Sequence, residues 1–288
     1  VGLGLDLYEN TTLGKDYFDR ANDIMGLEIQ DIFFNVPDYT LTKTQYTQPA
    51  IYIVSVIIGL LLMEKGIQPS SAAGHSLGEY SALTLAKSFD FETGLKLVKV
   101  RSEGMHNAGR LHPGTMAAVI GLDDKTTRDI CDQYTNGIVV AANFNAKGQV
   151  VISGEVDAVH AVMPLMKDAG AMKVIELNVS GAFHSPLMTS AKEILSEMLL
   201  SIEIQDSEIP VYANVTASPI TTADDIRQSL IDQLENPVRW HESITRLVSD
   251  GMTRAVEVGP GRVLQGLSRR IDRSLDMSGV ETLEQIVS

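Results

Sequence analysis

The run Gly74-His75-Ser76-Leu77-Gly78 matches G-x-S-x-G, the pattern of a serine carried on a sharp strand-to-helix turn. Such a turn lifts the hydroxyl clear of the sheet. Small neighbours on either side let the backbone bend and a substrate approach. The turn also sets Ser76 at the start of the next helix, where the Leu77 N–H can face the oxyanion that develops as a serine attacks a carbonyl. Ala72-Ala73 reads as a short strand and 77–86 as a helix, which is the context the pattern needs. A glycine-rich turn carrying a solvated serine would leave the same trace.

A serine nucleophile needs a base. The chain has six histidines: His75, His106, His112, His160, His184 and His241. His75 adjoins the serine, and adjacent side chains at a tight turn diverge. His160 sits in the middle of a helical segment. His184 lies in the loop Val179-Ser180-Gly181-Ala182-Phe183-His184-Ser185-Pro186, after a strand and before a helix, and follows the serine in chain order. A loop histidine taken alone is more often a surface residue, so spacing leaves both readings open. Arg101 shares a helical face with Leu97, Val98 and Met105. A guanidinium there can grip a carboxylate with two parallel hydrogen bonds. It can equally snorkel to water or pair with a structural acid, and spacing alone favours that second use.

These groups must be held by elements that the pattern also shows. Residues 3–39 read as amphipathic helix and loop. Thr47-Gln48-Pro49 looks like a helix start, with Pro in the first turn, followed by a helix over 50–65 and a stop at Gly66. A helix is predicted over 91–105. Between 112 and 178 the order is strand (116–120), helix (123–134), strand (138–144), strand (149–153), helix (156–169), strand (172–179). That β-α-β-β-α-β order is the ferredoxin-like motif, here read as an insertion. Strands at 209–215 and 255–258, the latter running through Gly259-Pro260-Gly261 into a helix from Val263, return to the alternation of a parallel α/β core.

Composition narrows the function. The chain has 288 residues and carries 23 Lys and Arg against 37 Asp and Glu, a net charge of −14. Nucleic-acid binding, which depends on cations meeting phosphates, is a poor fit, and an anionic membrane surface would repel the chain. The apolar run 51–63 is shorter than the roughly 20 residues a spanning helix needs. The lone Cys131 has no disulfide partner and no zinc-ligand spacing. A reducing compartment, the cytoplasm, suits it.

Together, Tyr46-Thr47-Gln48-Pro49-Ala50, Gly74-His75-Ser76-Leu77-Gly78-Glu79-Tyr80, Arg101, Asn143-Phe144-Asn145, Ala182-Phe183-His184-Ser185, Asn236-Pro237-Val238-Arg239-Trp240 and Glu257-Val258-Gly259-Pro260-Gly261 make the sequence resemble malonyl-CoA:acyl carrier protein transacylases. More broadly it resembles the acyltransferase domains of fatty-acid and polyketide synthases. The resemblance runs in order along almost the whole chain. It implies an α/β-hydrolase-like parallel-sheet core, 1–111 and 179–288, with an inserted ferredoxin-like subdomain, 112–178. It implies Ser76 as the acylated nucleophile, His184 as its base and acid, and the Leu77 N–H in the oxyanion hole. Arg101 becomes the clamp on the malonyl carboxylate, and the backbone carbonyl of Gln233 orients His184. Asn143 and Phe183 are implied to line the pocket, Ala182-Phe183-His184 being similar to the malonyl-selective form. The implied substrate is malonyl-CoA and the implied partner an acyl carrier protein bearing phosphopantetheine, with no metal or redox cofactor, in fatty-acid synthesis. Docking an acidic carrier on an acidic chain needs a local basic surface, for which residues 96–110 and 262–273 supply candidates. Family members begin with a strand and a G-Q-G-x-Q segment whose first glutamine serves the oxyanion hole. The chain starts at Val1, so the expectation is that this segment of the natural protein precedes it. A serine hydrolase such as a thioesterase, with water as the acyl acceptor, and a non-catalytic carrier-binding module are the competing readings.

Overall fold

Residues 49–63 are apolar on every side apart from Ser55, so a helix formed there has no face suited to water. The computed structural model describes residues 2–35 and 44–287, and in it this segment forms most of the central helix. Val1 and residues 36–39 of the predicted N-terminal helix-and-loop stretch lie outside the described residues. Before the central helix come α1 (Leu5–Asn10), α2 (Thr12–Met25) and a short π-helical turn (Asp31–Asn35). The central helix, α3 (Thr44–Glu64), runs 21 residues and carries Pro49 in its interior, not in its first turn as the sequence suggests. The proline removes one intrahelical hydrogen bond, but burial of Gln48, Pro49 and Ala50 outweighs the loss. By length and composition α3 could cross a bilayer, yet 67% of its most apolar window is buried within the protein, so it is a core helix.

Against α3 pack α4 (Gly78–Leu85) and α5 (Phe91–Leu111), and β1 (Ala72–Ala73) packs against α4. The chain then forms β2 (Gly114–Ile120), α6 (Asp124–Gln133), β3 (Val139–Ala146), β4 (Gln149–Glu155), α7 (Val156–Asp168) and β5 (Lys173–Glu176). The four strands make one antiparallel sheet in the order β3-β4-β2-β5. Residues from its strands and helices, among them Ala117, Cys131, Ile152, Val159 and Val174, bury a core of their own. This sheet meets the rest of the molecule through β3, where Phe144 N–H donates to Val238 C=O (2.8 Å) and Val238 N–H to Ala142 C=O (2.9 Å).

The remaining elements are a 3₁₀ turn (Pro186–Met188), α8 (Thr189–Ser201), β6 (Val211–Tyr212), β7 (Pro219–Ile220), α9 (Ala223–Asp232), α10 (Trp240–Ser249), β8 (Arg254–Val258), α11 (Val263–Ile271), β9 (Asp276–Val280) and α12 (Leu283–Val287). The parallel core is less continuous than the sequence suggests. Among the described residues it consists of a three-stranded sheet, β1-β6-β7, and a separate parallel pair, β8-β9. Within the first sheet β1 and β6 are parallel, and β7 is antiparallel to β6. The strand expected at 209–215 holds only Val211 and Tyr212. It ends there because Asn214 turns its backbone and side chain beneath the serine turn instead of continuing the ladder.

Candidate active site

Ser76 sits between β1 and α4 with φ of 52°, a left-handed conformation that a non-glycine residue adopts only when its surroundings impose it. Two features impose it here. A Cβ on Gly74 would fall 1.9 Å from the Gly78 carbonyl carbon, so only glycine admits the turn. Asn214 then pins both ends: Ser76 N–H donates to its Oδ1 (2.6 Å), and its Nδ2 donates to Gly74 C=O (2.7 Å). The second glycine of the motif is different. A Cβ on Gly78 would meet nothing within 4 Å, so internal packing does not require it. With the Ser76 amide committed to Asn214, the Leu77 N–H is left without a protein acceptor among the described residues.

His184 comes from the loop before the 3₁₀ turn, also in the left-handed region (φ 57°) and almost fully buried. Its Nδ1 lies 2.8 Å from the Gln233 backbone carbonyl, which can only accept, so Nδ1 carries the proton. Nε2 is thereby free to accept from Ser76 Oγ at 2.9 Å. Burial pushes the imidazole pKa down to about 3, the Arg101 charge pushes the same way, and the Gln233 hydrogen bond opposes both. The ring is neutral at any physiological pH, the form a general base requires.

Arg101, on α5, has no solvent exposure and no carboxylate partner. Nη1 donates to Gln48 Oε1 (2.5 Å), and Nη2 donates to Gln233 Oε1 (3.0 Å) and to Ser76 Oγ (2.8 Å), while Nε is unpartnered. Burial draws its pKa below the usual arginine value, against the pull of Tyr80 and Glu79. A desolvated cation held only by neutral groups, beside a serine, is a ready site for the carboxylate of an incoming molecule. The charge thus does not snorkel to water, and the structural acid Glu79 acts on it only at longer range, beyond the Gln233 amide.

The structure therefore gathers Ser76, Leu77, Arg101, His184 and Gln233 in one place. Phe183 lines a cavity of about 210 Å³ together with Thr44, Thr47, Gln48 and Ser180. Asn143 is not among the lining residues; it is buried on β3, bridged to Val238. His75 does diverge from Ser76, its Nε2 meeting Asn145 Oδ1 at 2.8 Å and its ring packing on Trp240. Gln48, Glu79 and Asn214 are parts of the site that spacing does not reveal. Gln48 and Glu79 lie inside family motifs, but their contacts here are with partners 53 and 154 residues away. Among the described residues no cluster of His, Cys, Asp or Glu is placed to hold a metal ion.

Comparison with known proteins decides the family. The acyl transferase domain matches over residues 1–285. The chain belongs to the acyl transferase domain family. This acyltransferase is 39% identical over 288 residues to the malonyl CoA-acyl carrier protein transacylase of Bacillus subtilis, covering 99% of the chain and 91% of that protein. Among solved structures, the Synechocystis malonyl-CoA:ACP transacylase superimposes with a TM-score of 0.92 at 38% identity, covering 100% of this chain and 94% of that one. A malonyl-transacylase in complex with its type II polyketide acyl-carrier protein superimposes with a TM-score of 0.94 at 37% identity and the same coverage.

Proposed function

We propose that this acyltransferase moves a malonyl group from malonyl-CoA to the phosphopantetheine thiol of an acyl carrier protein, through a malonyl ester on Ser76, in fatty-acid synthesis. The observation that carries this reading is Arg101: a buried cation with no acid in hydrogen-bond contact among the described residues, donating to the hydroxyl that would be acylated. A hydrolase for uncharged acyl groups has no use for it.

The steps follow from the geometry. The malonyl carboxylate takes up the guanidinium of Arg101. His184 Nε2 removes the Ser76 proton as Oγ attacks the thioester carbonyl, and the oxyanion faces the Leu77 N–H. The C–S bond breaks, and the CoA sulfur leaves with the proton from His184. The carrier's thiol then attacks the Ser76 ester, giving its proton to His184, which returns it to Oγ as the new thioester forms. Gln233 C=O holds the ring in one tautomer throughout and stabilises the imidazolium that forms in each half-reaction. Phe183 walls the cavity beside this centre; Asn143, buried on β3 and outside that cavity's lining, stays a pocket candidate that the family resemblance alone supports.

We also read 112–178 as an inserted ferredoxin-like unit on an α/β-hydrolase-like core, 1–111 and 179–288. The sheet order β3-β4-β2-β5 and its separate core support this. A cytoplasmic setting suits the single buried free thiol of Cys131. Of the basic residues that could meet an acidic carrier, Arg101 is buried and Lys99 is tied to the Ile24 and Met25 carbonyls. Docking must then rely on others, such as those of α11.

Intact-protein mass after mixing with malonyl-CoA tests the proposal. The expected result is a malonyl adduct on the wild type, absent in Ser76→Ala, and discharged by a holo carrier protein faster than by water. Discharge by water at the carrier's rate would favour the hydrolase. An adduct that persists in Ser76→Ala would remove Ser76 from the mechanism.

A further inference from the structure

Glu79 is a buried acid that the steps above do not use. It stands in the first turn of α4, three residues after the serine, with no solvent exposure. Its Oε2 accepts from Gln233 Nε2 (2.8 Å) and Asn214 N–H (3.1 Å), and its Oε1 from Ser229 Oγ (3.2 Å). None of these partners carries a charge. The Arg101 charge acts on it only at longer range, beyond the Gln233 amide, so burial still disfavours the ionised form and a neutral side chain of the same shape would fill the space at less expense.

The Gln233 amide gives the charge a purpose. Its Nε2 donates to both Glu79 Oε2 and Ser76 C=O (3.0 Å), which leaves its Oε1 facing Arg101 Nη2. Turned over, the amide would set its NH₂ against the guanidinium and its oxygen against two acceptors. An ionised Glu79, which can only accept, forbids that orientation. A protonated Glu79 can donate, and the restriction loosens. The backbone carbonyl of the same Gln233 holds His184, and the Asn214 that donates to Glu79 also pins the Ser76 turn.

We infer that Glu79 is a positioning residue for acyl transfer: its ionised carboxylate orients the Gln233 amide, and through that one residue it sets the Arg101 guanidinium and the carbonyl that holds His184. The inference deepens the function proposed above and rests on it.

A pH dependence follows. Burial raises the Glu79 pKa to about 6, while His184 stays neutral down to about 3. The other ionisable groups facing Glu79 are Arg101 on α5 and Tyr80 on α4; Tyr80 is raised to about 12, and neither titrates near neutrality. On α9 the neighbours Ser229 and Gln233 do not titrate, and Asp232 at its end lies toward Lys192. The acid limb of Ser76 acylation should therefore lie near pH 6 and belong to Glu79, not to the base.

The test is Glu79→Gln, which keeps the shape but can present either its oxygen or its NH₂ to Gln233, so the acceptor-only character that forbids the turned-over amide is lost with the charge. The expected result is a fold and melting curve like the wild type. The acylation rate at pH 8 should fall by about tenfold, the effect of one misplaced charged hydrogen bond, and the acid limb between pH 5 and 7 should vanish. A variant that keeps the wild-type rate and acid limb overturns the inference, as does one that is slower but keeps the limb, because a purely structural role would not move it. A second readout needs no substrate and no variant. The Nδ1–H resonance of His184 in the wild type should shift with a midpoint near pH 6. A flat resonance overturns the inference even if Glu79→Gln does not fold. Loss of the malonyl adduct with a normal His184 titration would instead count against the proposed function.

Discussion

Replacing Arg101 by alanine separates recognition of the acyl group from the chemistry on it. In the structure the guanidinium is fully buried and held by Gln48, Gln233 and Ser76, all neutral. The malonyl carboxylate would become its direct ionic partner, whereas Glu79 acts on it only at longer range, beyond the Gln233 amide. Removing one member of a buried, hydrogen-bonded charge pair costs about 2–5 kcal/mol, much of it the penalty of leaving the other charge alone. At about 1.36 kcal/mol per tenfold, kcat/KM for malonyl-CoA should fall roughly 30- to 5,000-fold. Acetyl-CoA offers no carboxylate. It loses the Arg101–Ser76 hydrogen bond and the hold on Gln48 and Gln233, but malonyl-CoA loses these too, so the ratio of the two rates carries the carboxylate's share. The assay is the second-order rate of Ser76 acylation, followed by intact mass at limiting acyl-CoA, for both substrates on wild type, Arg101→Ala and Arg101→Lys. Lysine keeps the charge and loses the planar fork, so it should fall between the other two. The refuting result is an unchanged malonyl-to-acetyl ratio in Arg101→Ala, whether both rates fall together or neither does. Arg101 would then serve only to place Ser76.

Two further outcomes follow from the geometry. Gly74→Ala should prevent the serine turn from forming and yield little folded protein, because its Cβ would meet backbone at 1.9 Å, while Gly78→Ala should change the denaturation midpoint little, its Cβ meeting nothing within 4 Å; equal effects in urea melts would contradict this. The depressed His184 pKa predicts acid sensitivity: between pH 6.5 and about 3 the unfolded chain binds a proton that the folded site refuses, so stability falls by up to about 1.4 kcal/mol per pH unit as pH drops. Glu79 acts oppositely, its raised pKa relieving a penalty as pH falls from about 6 toward 4.5. His184→Asn should flatten the acid decline of the urea midpoint between pH 6.5 and 4, and an unchanged slope would show that the ring is not buried neutral.

The residue pattern alone determined what depends on near neighbours. Gly74 and Ser76 lie within one turn, so their spacing encodes the position of the proposed nucleophile directly. The strand and helix order of 112–178 follows from local periodicity, and the observed bounds of β2, α6, β3, β4 and α7 fall within a few residues of those expected. Local pattern erred where tertiary contacts override it. Pro49 is carried inside α3 by burial, and the strand around 211 is cut short because Asn214 is needed elsewhere.

The arrangement of the site is a tertiary fact. Ser76 and His184 meet across 108 residues, and Arg101 and Gln233 across 132. No periodicity records such pairings, because they are set by how α3, α4, α5 and α9 pack. The same packing holds Ser76 and His184 at positive φ, which neither residue favours by itself. It also decided the case of Arg101. One apolar helical face was compatible with a snorkelling arginine or a structural ion pair, and only the folded chain shows the guanidinium buried among neutral acceptors. Local chemistry is written in the order of residues, whereas the balance of a buried charge depends on every group that packing brings to it.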